Sequence, residues 1–170
     1  QRQMCIRDSS YPGGLSGGPA TSAVTGTAEW IIQKLLFDVP LNGSWSVDAM
    51  YFSNTSKYSL WCSNHQNAAV TKNTVCEPLT GGGWQMTHGI GHENFFWESA
   101  ASAISAVVLG NGVSGGTGAQ SGLKDHQSGL GLQFSAEVGE AVAKARLTRA
   151  HANDLVKRIM AKYQPTIDSH

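Results

Sequence analysis

Two imidazoles and a carboxylate crowd into the segment His88-Gly89-Ile90-Gly91-His92-Glu93. Side chains of these types can ligate zinc or iron, but a H-x-x-x-H pair ligates from one helix face, and Gly89 and Gly91 disfavour a helix through the segment. No metal site is therefore assigned. The glycines leave room for a ligand against the backbone, and a helix starting just after them would offer free N–H groups to an anion. His88 reads either as a substrate contact or as a histidine satisfied by a backbone carbonyl. Glu93 reads either as a site carboxylate or as a first-turn residue answering the helix dipole. Glu98 lies among Phe95, Phe96, Trp97, Ala100 and Ala101, where a charge must be paired, protonated or at an edge. A structural partnership is preferred for it over catalysis. His65, Asp125 and His126 stand in polar contexts and are expected in solvent. The sequence has no G-x-S-x-G, no phosphate-binding P-loop and no dinucleotide fingerprint.

The elements that would position these residues alternate. Ala28, Ile31, Ile32, Leu35 and Leu36 have helical spacing, ended by Asp38-Val39-Pro40. A strand is predicted over Trp45 to Phe52 and a helix through Leu60, Trp61, Asn64, Ala68 and Ala69, ending before Pro78. A second strand, Trp84 to His88, turns at Gly89-Ile90-Gly91 into a helix from His92 to about Leu109. The glycine-rich stretch Gly110 to Gly131 is left unassigned. Two helices follow, one marked by Phe134, Val138 and Val142, the other by Leu155, Ile159, Met160 and Tyr163 and ended by Gln164-Pro165.

Such alternation predicts an α/β fold with parallel strands and helices packed outside. A (β/α)8 barrel needs roughly 250 residues, so 170 residues are read as an incomplete chain, the C-terminal portion of a TIM-type barrel. Active sites of such barrels lie at the C-terminal ends of the strands. That points to Ser53-Asn54-Thr55 and to His88 through Glu93, with the two strands parallel and Asn54 and His88 at the same end. Residues 1–10, whose run QRQMCIRDS resembles translated adapter sequence, are read as a non-native or disordered leader, and residues 11–170 as the barrel part with its terminal helices.

Charged residues make up 14% of the chain and the formal net charge is zero. The deficit is filled by Gly, Ala, Ser and Thr, so backbones are expected to approach closely. The 12 basic and 12 acidic residues are interspersed, which excludes the basic footprint that nucleic acid or an anionic membrane requires. Ser99 to Leu123 is uncharged, yet only Ile104 to Leu109 is strongly apolar, too short to span a bilayer. Cys5, Cys62 and Cys76 form no C-x-x-C pair. Free thiols and a cytoplasmic setting are expected.

From Tyr11 to about Tyr163 the chain resembles the C-terminal third of the monomethylamine:corrinoid-protein methyltransferases. The likeness rests on Gly13-Gly14-x-x-Gly17-Gly18, the Trp45 strand, the Ser53-Asn54-Thr55 loop, the Gly89 to Glu93 turn and Glu98-Ser99-Ala100-Ala101. It continues through Gly110, Ser114-Gly115, Lys124 and the helix Glu137-Val138-Gly139-Glu140-Ala141-Val142-Ala143, in collinear order. The resemblance implies transfer of a methyl group from a methylated amine, with monomethylamine the first expectation, to a cognate corrinoid protein. It implies a pyrrolysine upstream of the matched region, a corrinoid carried by the partner rather than by this chain, and a homo-oligomer when full length. The family has a glutamine followed two residues on by a tyrosine, where this chain has Gly83 and Gln85. The expected catalytic residues are His88, Gln85 and Glu93, with Asn54 and Ser53 contacting substrate. The rival readings are a barrel relative without pyrrolysine acting on another methylated amine, and a non-catalytic surface that docks the corrinoid protein.

Overall fold

A computed structural model of the protein describes residues 11–12, 24, 28, 31–32, 35–36, 46–47, 55–73, 84–113, 116–117 and 128–169. Two parallel strand pairs and four longer helices organise them. Strand β1 (Tyr11–Pro12) pairs with β2 (Ser46–Val47), and β3 (Trp84–Gln85) pairs with β4 (Gly116–Thr117). The helices are α1 (Lys57–Asn73), α2 (Glu93–Val108), α3 (Gly129–Ala145) and α4 (Arg149–Asp168). Val24, Ala28, Ile31, Ile32, Leu35 and Leu36 also take helical positions, and all six are exposed.

Helix α2 is the central element, packed against both α3 and α4. Its start is fixed by His92, whose backbone is extended and whose side-chain Nδ1 accepts the Asn94 N–H at 3.1 Å. An imidazole here fills the capping role usually taken by Ser, Thr, Asp or Asn. Behind it Gly91 has φ +96°, a conformation that glycine adopts without steric cost. The helix ends at Leu109, and Gly110 turns the chain away with φ +85°.

The expected close approach of backbones is found along α2. Ala100, Ala101, Ala103, Ala106, Ser99, Ser102 and Ser105 are all buried on it. Ser135 of α3 donates to the Gly131 carbonyl at 2.9 Å, so the Ser99 hydroxyl donates to Ser135 at 2.7 Å. A Cβ at Gly131 would come within 2.9 Å of the Phe95 ring, and one at Gly139 within 2.8 Å of Val113. Side chains larger than hydrogen cannot enter there without displacing a packed neighbour. Around this seam one core joins Leu60, Ala101, Ile104, Val142, Val156, Ile159, Tyr163 and Ile167, and a second joins Met86, Phe95, Ala103 and Ala106.

Two expectations are corrected and one open stretch is filled. The strand predicted over Trp84 to His88 makes ladder bonds only at Trp84 and Gln85, because the N–H groups of Thr87 and His88 donate instead to the Glu98 carboxylate. The unassigned stretch Gly110 to Gly131 contains β4, which supplies β3 with its parallel neighbour. Gln164-Pro165 does not end the last helix, which runs to Asp168 with Pro165 inside it. Proline there removes one helix N–H and crowds the carbonyl four residues back. Tyr163 and Ile167, 0% and 2% exposed on either side of it, anchor the last turn in the core.

Of the strand predicted from Trp45 to Phe52, residues 46 and 47 are described, and its pairing with the Trp84 strand lies outside what is described. Among the described residues no helix is long and apolar enough to cross a membrane.

Candidate functional site

The loop that leaves β3 runs straight into a carboxylate. Glu98 sits one and a half turns into α2 and is 0% exposed. Helix geometry carries it back toward the N-terminus of α2, where four donors converge on its two oxygens. Oε2 accepts from the Thr55 hydroxyl and from the Thr87 N–H at 2.6 Å. Oε1 accepts from the His88 N–H at 3.2 Å and from His88 Nδ1. The charge in an apolar helix is thus paired, by two threonines and a histidine that approach from two other segments. Sequence reasoning identified the need for partners but not Thr55 or Thr87.

His88 is held from both sides. Its side chain is 10% exposed, and its Nε2 lies 3.3 Å from the amide nitrogen of Asn94, which also donates to Thr166 of α4 at 3.4 Å. The His92 ring stacks on the His88 ring with centroids 4.7 Å apart and planes 24° from parallel. Beyond the rings the loop is open among the described residues, since a Cβ on Gly89 or Gly91 would meet none of them within 4 Å. An imidazole in this setting offers one donor and one acceptor nitrogen to what binds beside it.

Beneath the cluster, Tyr163 of α4 donates its hydroxyl to the Thr55 carbonyl at 2.8 Å and is fully buried. Burial, and secondly the charge of Glu98, push the Tyr163 phenol well above its ordinary pKa. An unfolded chain releases this proton near pH ~10 whereas the folded chain retains it. Tyr163 therefore contributes stability that is complete below that pH and drains away as pH rises through the folded value, by up to about 1.4 kcal/mol per pH unit. Tyr163→Phe should remove that alkaline slope. At neutral pH it should cost about 1–3 kcal/mol, because the buried Thr55 carbonyl loses its donor. Denaturant melts at about pH 8 and about pH 11 check both, and an unchanged alkaline slope in the variant would remove Tyr163 as its source.

The other expected site residues are distributed as follows. Gln85 is half-buried at the end of β3. Glu93 is exposed in the first turn of α2, the position of a carboxylate that answers the helix dipole. Ser53 and Asn54 lie outside the described residues. Thr55, which follows them, is in the cluster, with its hydroxyl 3.5 Å from that of Thr87. Thr55 and Thr87 therefore lie together at Glu98. His65 is exposed, its ring on Trp61 at 3.9 Å, while Asp125 and His126 lie outside the described residues. Asn94, Thr166 and Tyr163 were missed by sequence reasoning. Among the described residues no three His, Cys, Asp or Glu side chains gather as a metal-binding group.

Comparison with known proteins agrees with this architecture. No curated protein sequence matches the chain. The crystal structure of the Methanosarcina barkeri monomethylamine methyltransferase (MtmB) is similar to it with a TM-score of 0.77 and 18% sequence identity, covering 94% of this chain and 35% of that one. The chain thus spans about a third of the length of the protein it matches and shares the fold of that part. A family model described as monomethylamine methyltransferase MtmB matches residues 2–169. With all but the end residues matched, this chain belongs to the MtmB monomethylamine methyltransferase family.

Proposed function

We propose that the whole protein transfers a methyl group from a methylated amine, monomethylamine in the first instance, to a corrinoid protein. The family match over residues 2–169 carries this reading. In it the chain forms the C-terminal part of a TIM-type barrel, and the reactive pyrrolysine belongs to the upstream part. The corrinoid belongs to the partner. In this reading the chain supplies proton handling and orientation. His88, in the loop after β3 and beside Gly89 and Gly91, is the acid–base group. Gln85 and Glu93, with Asn54 and Ser53, are the polar contacts that hold the substrate adduct. A cytoplasmic setting and a homo-oligomer go with this reading.

The departure at Gly83 and Gln85 from the family's glutamine and tyrosine favours a test that varies the amine. The full-length protein, mixed with a reduced corrinoid protein, should methylate it with one of mono-, di- or trimethylamine at a rate that saturates with amine. Failure to methylate the corrinoid with any of the three would sink the proposal. Saturable transfer from di- or trimethylamine alone would reassign the substrate.

A further inference from the structure

The geometry points to Glu98 as the positioning residue that fixes His88 in its Nδ1–H tautomer and so makes Nε2 the ring's working atom. This rests on the role just given to His88.

A neutral imidazole has one N–H and one lone pair, and the partner of one nitrogen decides which is which. Glu98 accepts at Oε1 from Nδ1, on the same oxygen that accepts the His88 backbone N–H. The ring and its own main chain are clamped together by one carboxylate, which leaves χ1 and χ2 of His88 little freedom. Glu98 is itself immobile. It is 0% exposed, is carried on the core-facing side of α2, and has its other oxygen saturated by Thr55 and Thr87. With the proton on Nδ1, Nε2 carries the lone pair. Its neighbour agrees, because the Asn94 amide presents Nδ2, a donor, to Nε2 at 3.3 Å. That contact is long for a hydrogen bond, and a substrate N–H donor can displace it. Asn94 would then keep its second contact, to Thr166. The proton that Nε2 accepts on binding or in turnover is the only one to move. Nδ1 keeps its own throughout, and Glu98 faces the imidazolium that forms, as in other carboxylate–histidine pairs.

Glu98→Gln tests this with a predictable chemical inversion. With its amide oxygen kept on Thr55 and Thr87, the new side chain turns an NH2 toward His88, so Nδ1 must then accept while the His88 N–H loses its acceptor and the variant melts lower. The proton moves to Nε2, and the working lone pair is lost. Long-range 1H–15N spectra of the full-length protein, at a pH where His88 is neutral, should show Nδ1–H in the wild type and Nε2–H in Glu98→Gln. Methyl transfer by Glu98→Gln should fall on the order of a hundredfold or more in kcat, with KM for the amine changed much less. Thr55→Val, which removes a donor from the same carboxylate but leaves Oε1 alone, should lower the melting temperature and keep the wild-type tautomer. Nε2–H in the wild type, or the same tautomer in wild type and Glu98→Gln, overturns the proposal. Where His88→Ala loses activity, so does a Glu98→Gln variant that melts lower but turns over normally per folded molecule. The tautomer arm reads Glu98 even if His88→Ala proves active. In that case the function assigned to His88 fails while the positioning by Glu98 stands.

Discussion

Glu98→Ala should be the most destabilising single substitution in the described part of the protein, at about 3–5 kcal/mol. The deletion removes the acceptor for four donors at once, namely the Thr55 hydroxyl, the Thr87 and His88 N–H groups and His88 Nδ1. The carboxylate is 0% exposed, so water cannot reach these groups without opening the seam between α2, α4 and the β3 loop. Each buried donor left without a partner costs about 1–3 kcal/mol, and the cavity adds to that. Relaxation of the loop after β3 offsets part of the sum. For a chain of this length each kcal/mol lowers Tm by roughly 2–4 °C, so the loss should be near 10 °C or more. A Tm within about 3 °C of the wild type would show that the loop rearranges freely and that the cluster contributes little.

The second large effect is on rate. His88→Ala in the full-length protein should lower methyl transfer on the order of a hundredfold or more, the usual loss for one positioned acid or base. Some stability will go as well, because the ring supplies one of the four donors to Glu98, and about 1–3 kcal/mol is expected on that account alone. Melting temperature therefore does not discriminate a catalytic from a structural histidine here. Turnover per folded molecule does. A variant that melts lower yet retains near-normal kcat would take His88 out of the chemistry and leave it as a donor to a buried carboxylate.

Legibility in the sequence followed the range of the interactions. Helix α2 was readable to within a residue at each end, because its limits are set locally by His92, Gly91 and Gly110. The apolar periodicities of α3 and α4 were equally plain. Pro165 misled because its local cost is real, and what outweighs it, the burial of Tyr163 and Ile167, comes from the core. Strand β4 escaped because Gly116-Thr117 is two residues long in a glycine-rich stretch and shows no alternation to read, its pairing being with β3. The site divided in the same way. His88 was found from its place at a strand end, and the need of Glu98 for partners from its apolar surroundings. Thr55 was legible at a strand end and Tyr163 as a helix marker, but their bonds, spanning 43 and 108 residues, leave no local mark. Only the question of who answers a buried carboxylate leads toward them.

The polar cluster also has a schedule. Its bonds span 10, 43, 72 and 108 residues of sequence, and the longest two reach the last turns of α4. During synthesis the ribosome emits Thr55, Thr87 and Glu98 well before Tyr163 and Thr166. The carboxylate can gather its nearer donors early, but it stays wetted on the side that α4 later covers. Contacts this distant are closed late in folding, after the local helices have formed. The nascent chain thus passes through a stage in which α2 is helical while one flank of its buried charge still faces water. A chaperone or protease would meet the protein in that form, and the arrival of α4 is the event that seals it.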